Sequence, residues 1–292
     1  MTMEGQGKMK EKIGRQKIKK FFVKFGVYIF LTCMAFIILF PFYFMIISSL
    51  KTLEEYRLSV PTLWPKKFVF RNYIDAFTTA NLGRLFLNTL LVGVVCTLVS
   101  LVITILTAFA FARLEFKGKS ILFGAMLATM MIPGELFTIT NYMTVSQLGW
   151  LKTFRVLIIP FLVSVFYIYL LRQTFLQIPK ELYLAAKVDG TSDIKYLWKV
   201  MVPLARPTLI SIAILQMMGS WNSYIWPRLV ANDEEHRLIT NGLRTAFTAT
   251  TGDINYPVQM AAVAIVSLPL FLLFIFLRKY IMAGVSRSGI KG

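Results

Sequence analysis

The chain alternates long uncharged blocks with short charged ones. Between Lys24 and Lys51 stand 26 residues without a charge, between Arg84 and Arg113 28, between Arg206 and Arg228 21, and between Asp253 and Arg278 24. A helix rises about 1.5 Å per residue, so each block can cross roughly 30 Å of hydrocarbon. Two weaker blocks fall between them, 120–143, interrupted by Glu135, and 156–171, with 16 uncharged residues. The pattern predicts six membrane helices, at about 25–49, 86–112, 120–143, 154–172, 207–227 and 257–278. The first block is too long for the apolar stretch of a cleaved leader, and no small-x-small site follows it, so it reads as a span.

Composition agrees with a membrane chain. Apolar residues make up 57% of it and the mean hydropathy is +0.65, where a soluble domain needs far more polar surface. The net charge of +18 would point to nucleic acid in a soluble protein, but here the basic residues are sorted by loop. Of the 32 Lys and Arg, 21 lie in 1–24, 113–119, 172–206 and 278–292, and 11 in 51–84, 144–155 and 228–256. The positive-inside rule places the first set, with both termini, in the cytoplasm. The basic run 8–20 is then an anchor on anionic lipid, with no nucleic-acid partner expected. The expected organisation is a basic tail at 1–24, one transmembrane domain at 25–283 and a short tail at 284–292. Cys33 and Cys96 both fall inside spans and read as packing residues.

The segment 178–207 is neither span nor linker. Leu182, Ala185 and Ala186 are spaced as one helical face, and Ile194, Leu197, Trp198 and Met201 as another. Gly190 sits between them, where a helix can end with positive φ. Thr191 and Ser192 are candidate N-caps, Asp193 suits the positive end of the second helix, and Pro203 and Pro207 should stop that helix and open the fifth span. The prediction is a helix–turn–helix held just below the bilayer, a shape for docking a cytoplasmic partner.

Ala185-Ala186, Asp189-Gly190 and, after nine residues, Val200-x-Val202-Pro203 resemble the coupling loop of binding-protein-dependent ABC importer permeases. Leu184 stands where that motif carries its carboxylate; either Glu181 or Asp189 substitutes, or docking is mainly apolar. Asn88-Thr89-Leu90, Met131 to Glu135, Leu148-Gly149, Trp221-Asn222, Trp226-Pro227 and the terminal Ser288 to Gly292 are similar, in that order, to the carbohydrate branch with MalG-like subunits. The resemblance implies an all-α integral membrane protein with the type I importer permease fold, importing a sugar across a bacterial plasma membrane. It also implies a second, MalF-like permease, two copies of a cytoplasmic ABC ATPase and an extracytoplasmic solute-binding protein. The ATPase would bind ATP and magnesium, leaving this chain without a cofactor. Glu181, Leu184, Ala185, Ala186, Asp189, Gly190, Val200 and Pro203 would form the coupling site.

Three residues are candidates for the translocation path. Glu135 is the one acid well inside a span, and Pro133-Gly134 beside it suggests a broken helix; the plain alternative is a carboxylate satisfied near the outer surface. Asn222 reads first as a hydrogen bond to another helix, with a sugar hydroxyl as the alternative, and Asn88 divides in the same way. Gly118-Lys119-Ser120 ends like a P-loop, but Arg113 stands where its first glycine belongs, so no ATP hydrolysis is expected of this chain. The lone His236, in an acidic patch, gives no metal or catalytic site. An ion-coupled secondary transporter would carry several intramembrane acids or a repeat, and a membrane enzyme a polar constellation; neither pattern is present. Permeases for sugar phosphates, acidic oligosaccharides or peptides are the nearer rivals.

Overall fold

The computed structural model describes residues 3–248 and 254–286, all of their regular elements helical. The terminal motif 288–292 and the side chains of the basic run 8–20 lie outside this description. The helices are α1 (Met3–Ser49), α2 (Leu53–Tyr56), α3 (Arg71–Thr79), α4 (Leu82–Arg113), α5 (Lys119–Thr129), α6 (Thr138–Gln147), α7 (Phe154–Ile158), α8 (Val165–Gln177), α9 (Lys180–Val188), α10 (Asp193–Tyr196), α11 (Val202–Leu204), α12 (Arg206–Asn222), α13 (Ile225–Val230), α14 (Ile239–Thr248) and α15 (Tyr256–Ser286).

Three helices are long and apolar enough to cross a membrane unaided: Val23–Ser49 of α1, α4, and Tyr256–Phe276 of α15. The other expected spans are broken. The third bends by 82° between α5 and a 3-10 turn at Gly134–Phe137, and the fourth by 41° between Phe154–Phe161 and α8. Pro133 and Pro160 stand near these breaks, where a missing N–H ends a helix. The fourth span also runs on to Gln177, past the expected end at 172. The fifth is α12 alone, shorter than expected at 17 residues, and meets the preceding helical segment at 81°.

Residues 3–74 and 255–264 belong to one compact unit, and 75–248 with 265–286 to a second. In the first, the loop after α1 is tied down by its own polar groups. Asn72 donates its amide to the Ser49 and Lys51 carbonyls at 2.8 and 2.9 Å. Glu55 accepts from the Thr62 hydroxyl and the Lys66 N–H. Burial alone would raise the Glu55 carboxyl, but those bonds and the charges of Lys51 and Lys66 hold it below its ordinary value. None of the most apolar stretch of α1 is buried.

In the second unit α4 is the axis, packed along its length by α8 and α12. One core gathers Ala108, Phe109, Leu171, Phe175, Leu197, Met201 and Ile212 at its C-terminal end. Another gathers Val92, Cys96, Val156, Leu157, Val230 and Leu238 nearer its N-terminus. Both cysteines are free thiols; Cys96 is packed in this second core, whereas Cys33 is exposed on α1. At Gly242 the backbone of α14 comes so close that an added Cβ would lie 2.2 Å from Leu85.

Candidate functional site

The helix–turn–helix predicted for 178–207 is present. Helix α9 ends at Val188, Gly190 turns the chain at φ +70°, and Ser192 caps α10 by accepting from the Lys195 N–H. Asp193 stands in the first turn of α10, at its positive end as expected, and does more there. It accepts from the Tyr183 hydroxyl at 2.7 Å and pairs with Lys187 Nζ at 2.7 Å, locking α9 to α10. The Lys187 and Tyr183 hydrogen bonds hold the Asp193 carboxyl below its ordinary value, and the bond to Asp193 pushes the Lys187 ammonium up.

The buried face is only partly the one expected: Ala186, Leu197 and Met201 are in the core. Tyr183 and Ala186 of α9 pack inward with Tyr196, Leu197, Val200 and Met201, against Phe109, Leu171 and Phe175. Leu182, Ile194 and Trp198, expected on apolar faces, are exposed. Leu184, at 53% exposure, and Val188, at 88%, stand one helical turn apart on α9 and, with Ile194 after the Gly190 turn, make an apolar crest there. Helical spacing marks two apolar stripes on so short a helix, and only the core beneath decides which is covered. Glu181, Ala185, Asp189 and Gly190 are exposed beside the crest.

Pro203 does not stop the helix. The chain widens into a π-helical turn at Leu197–Met201, runs through Pro203 to Leu204, and breaks only at Ala205. A wider turn removes the clash between a proline ring and the carbonyl one turn earlier.

Arg113, read from the sequence as a topology charge and a break in the P-loop pattern, fastens the segment that leads from α8 into the hairpin. It is 7% exposed, and its guanidinium donates to the carbonyls of Phe175, at 2.8 Å, and Ile178. Those carbonyls close α8 just before α9 begins, at the negative end of that helix. Arg172 complements it, donating to the Phe111 carbonyl while its guanidinium lies 4.0 Å from the Phe123 ring centre. No sequence motif marks either pairing, because the partners are backbone atoms 61 to 65 residues away.

The three path candidates are not brought together on one feature. Glu135 is exposed in the 3-10 turn at the predicted helix break. Asn88 is buried and donates to the carbonyls of Glu235 and Arg237, fastening the loop before α14. Asn222 is exposed and bonds back to Met218 of its own helix, and among the described residues it makes no bond to another helix. His236 pairs with Asp233 at 2.6 Å and lies edge-on to Phe154. Asp233, Glu235 and His236 bring their ligand atoms within 4.8 Å of one another, closer company than a lone histidine was expected to have.

With this geometry in view, comparison with known proteins is decisive. Residues 100–287 match the family model described as binding-protein-dependent transport system inner membrane component. The chain belongs to this family. It is 32% identical over 261 residues to the arabinooligosaccharides transport system permease protein AraQ of Halalkalibacterium halodurans, covering 88% of this chain and 93% of that one. It is 30% identical to the trehalose/maltose transport system permease protein MalG of Thermococcus litoralis, covering 89% and 94%. Its fold matches a chain of a bacterial ABC transporter that imports the acidic polysaccharide alginate, with a TM-score of 0.81, 22% identity, and 88% and 96% coverage. This permease therefore has the type I importer fold and is a multi-pass membrane subunit of an ABC importer.

Proposed function

We propose that this permease is one of two membrane subunits of an ATP-driven importer whose cargo is a sugar or oligosaccharide. A second, MalF-like permease would complete the path, two ABC ATPase subunits would bind ATP and magnesium beneath the pair, and an extracytoplasmic binding protein would deliver the solute. The similarity to the arabinooligosaccharide and trehalose/maltose permeases supports the class of cargo. The sorting of Lys and Arg supports both termini and the hairpin on the cytoplasmic side. Hydrolysis is assigned to the partner, since Gly118-Lys119-Ser120 lacks the rest of a P-loop.

The observation that carries the coupling role is the exposed apolar crest on the hairpin. Leu184, Val188 and Ile194 stand out from a turn that its own core holds rigidly, and an exposed apolar patch on an ordered element marks a contact surface. Seated in a cleft of the ATPase, the hairpin would follow ATP-driven closure as a rigid body. Its core, shared with α4, α8 and α12, would pass the displacement to the spans. Leu184 then replaces the motif carboxylate with apolar burial.

Replacing Leu184 and Val188 with Asp, or reversing charge at Asp189, should release the ATPase, read as its loss from the purified permease pair. Both leucine and valine are exposed, so the subunit itself should fold normally. Undiminished co-purification with undiminished transport overturns the coupling assignment.

A further inference from the structure

Two interrupted helices border a cavity of about 350 Å3 inside the second unit. One interruption lies at Ser164, before α8, and the other at Ser223 and Tyr224, between α12 and α13. At membrane depth, non-helical backbone is tolerated only where protein buries it or where it lines a hydrated space.

The lining has a particular chemistry. Among the described residues, no charged side chain contributes to it. Trp226 forms a fixed wall, its indole N–H donated to the Val156 carbonyl at 2.9 Å and its ring edge-on to Phe161 at 6.3 Å. Gln216 is buried and donates its amide N–H to the Phe161 carbonyl at 3.1 Å. Its amide oxygen, and the hydroxyls of Tyr167, Ser220 and Ser223, have no hydrogen-bond partner among the described residues. Unused donors and acceptors beside a held aromatic ring suit a ligand with an apolar C–H face and a rim of hydroxyls. A carboxylate or phosphate would find no cation there. An acyl chain would leave the hydroxyls unmatched; the groove lined by Val94, Leu98, Ile210 and Met217, wholly apolar at its surface, is the contrasting case.

We infer that this cavity is a binding site, within this subunit, for one unit of a neutral sugar. The inference rests on the sugar-importer reading above and narrows it to uncharged cargo. The volume lies at the small end of the range for small-molecule sites, about 300–1,000 Å3. The hydroxyls would select for a hydroxylated ring, and the lack of charge would select against acidic ones.

The test uses the complete importer in proteoliposomes, both permeases with the ATPase pair and the binding protein. Uptake of arabinotriose, maltose and trehalose is followed against an alginate trisaccharide, together with ATP hydrolysis. The wild type should move a neutral probe. The combined variant Tyr167→Phe, Ser220→Ala, Ser223→Ala should lower that uptake by about tenfold to 1,000-fold, and raise ATP consumed per sugar moved to match, since three hydrogen bonds are lost. Ser220→Trp, which fills the cavity, should block the same uptake by a different route. General damage to the subunit would lower transport and hydrolysis together and leave their ratio unchanged, a result that overturns the site. So does neutral uptake that neither variant alters. Import of the alginate trisaccharide alone overturns the neutral-sugar inference while leaving the sugar-importer reading standing. Hydrolysis stimulated by the loaded binding protein with none of the four probes imported overturns that reading itself.

Discussion

Two residues set the geometry around the hairpin formed by α9 and α10. Arg113 offers a buried charge to two helix-terminal carbonyls, and hydrogen bonds to charged groups contribute about 1.5–3 kcal/mol each. Arg113→Met should lower the stability of the purified complex by about 1–3 kcal/mol, because it strands the carbonyls of Phe175 and Ile178. Its unfolding temperature should fall, and ATP hydrolysis should become less tightly tied to transport. Asp193 acts on the other side of the turn. Its folded pKa is depressed, so its contribution is present above the ordinary aspartate value, about 4, and is lost as pH falls through the depressed value. Lys187 is raised, so its contribution is full below the ordinary lysine value, about 10.4, and is lost as pH rises through the raised one. The lock should therefore hold across the whole neutral range. Hydrogen exchange at 188–191, corrected for its intrinsic pH dependence, should stay constant there. In Asp193→Asn, exchange at the same residues should quicken.

Among the elements, close helix approaches fix how α4 meets its neighbours. At Gly242 an added Cβ would meet three carbons of the buried Leu85 at 2.2 to 2.8 Å, while at Gly93 it would crowd the sulfur and methyl end of Met217, at 2.7 and 3.1 Å, and touch Ser220 Cβ at an ordinary 3.6 Å. Methionine can swing aside, and a leucine enclosed by core has less room. Gly242→Ala should thus cost about 1–3 kcal/mol of overpacking, partly offset by roughly 1 kcal/mol of helix propensity. Gly93→Ala should be milder. Thermal unfolding of the two purified variants decides it, and equal effects would contradict the packing argument. The same scale shows why apolar spacing located the hairpin but placed only part of its buried face. Leu182 and Tyr183 are both apolar neighbours on α9, yet only Tyr183 meets Phe109 and Tyr196 beneath.

For the whole molecule, orientation follows from charge sorting and has a direct check. A cysteine placed at the exposed Lys117, in a chain whose exposed Cys33 is changed to Ser and whose remaining Cys96 is buried, should react with a membrane-impermeant maleimide in inside-out vesicles. It should resist the reagent in intact cells. Labelling from the outside would invert the topology and remove the hairpin from any ATPase.

Uncharged blocks determined the membrane class, since the cost of a charge in hydrocarbon is local and needs no knowledge of neighbours, and the sorted cations supply the proposed direction. Gly190 and the residues around it determined the hairpin, because positive φ and capping are also local. Only the tertiary structure decided which face of that hairpin is covered, that Arg113 ties down the segment leading into it, and that Asn88 fastens a loop. It alone drew Gln216, Tyr167 and Trp226 around one cavity. These are contacts between distant segments, and their partners are backbone carbonyls or common side chains that leave no spacing to read.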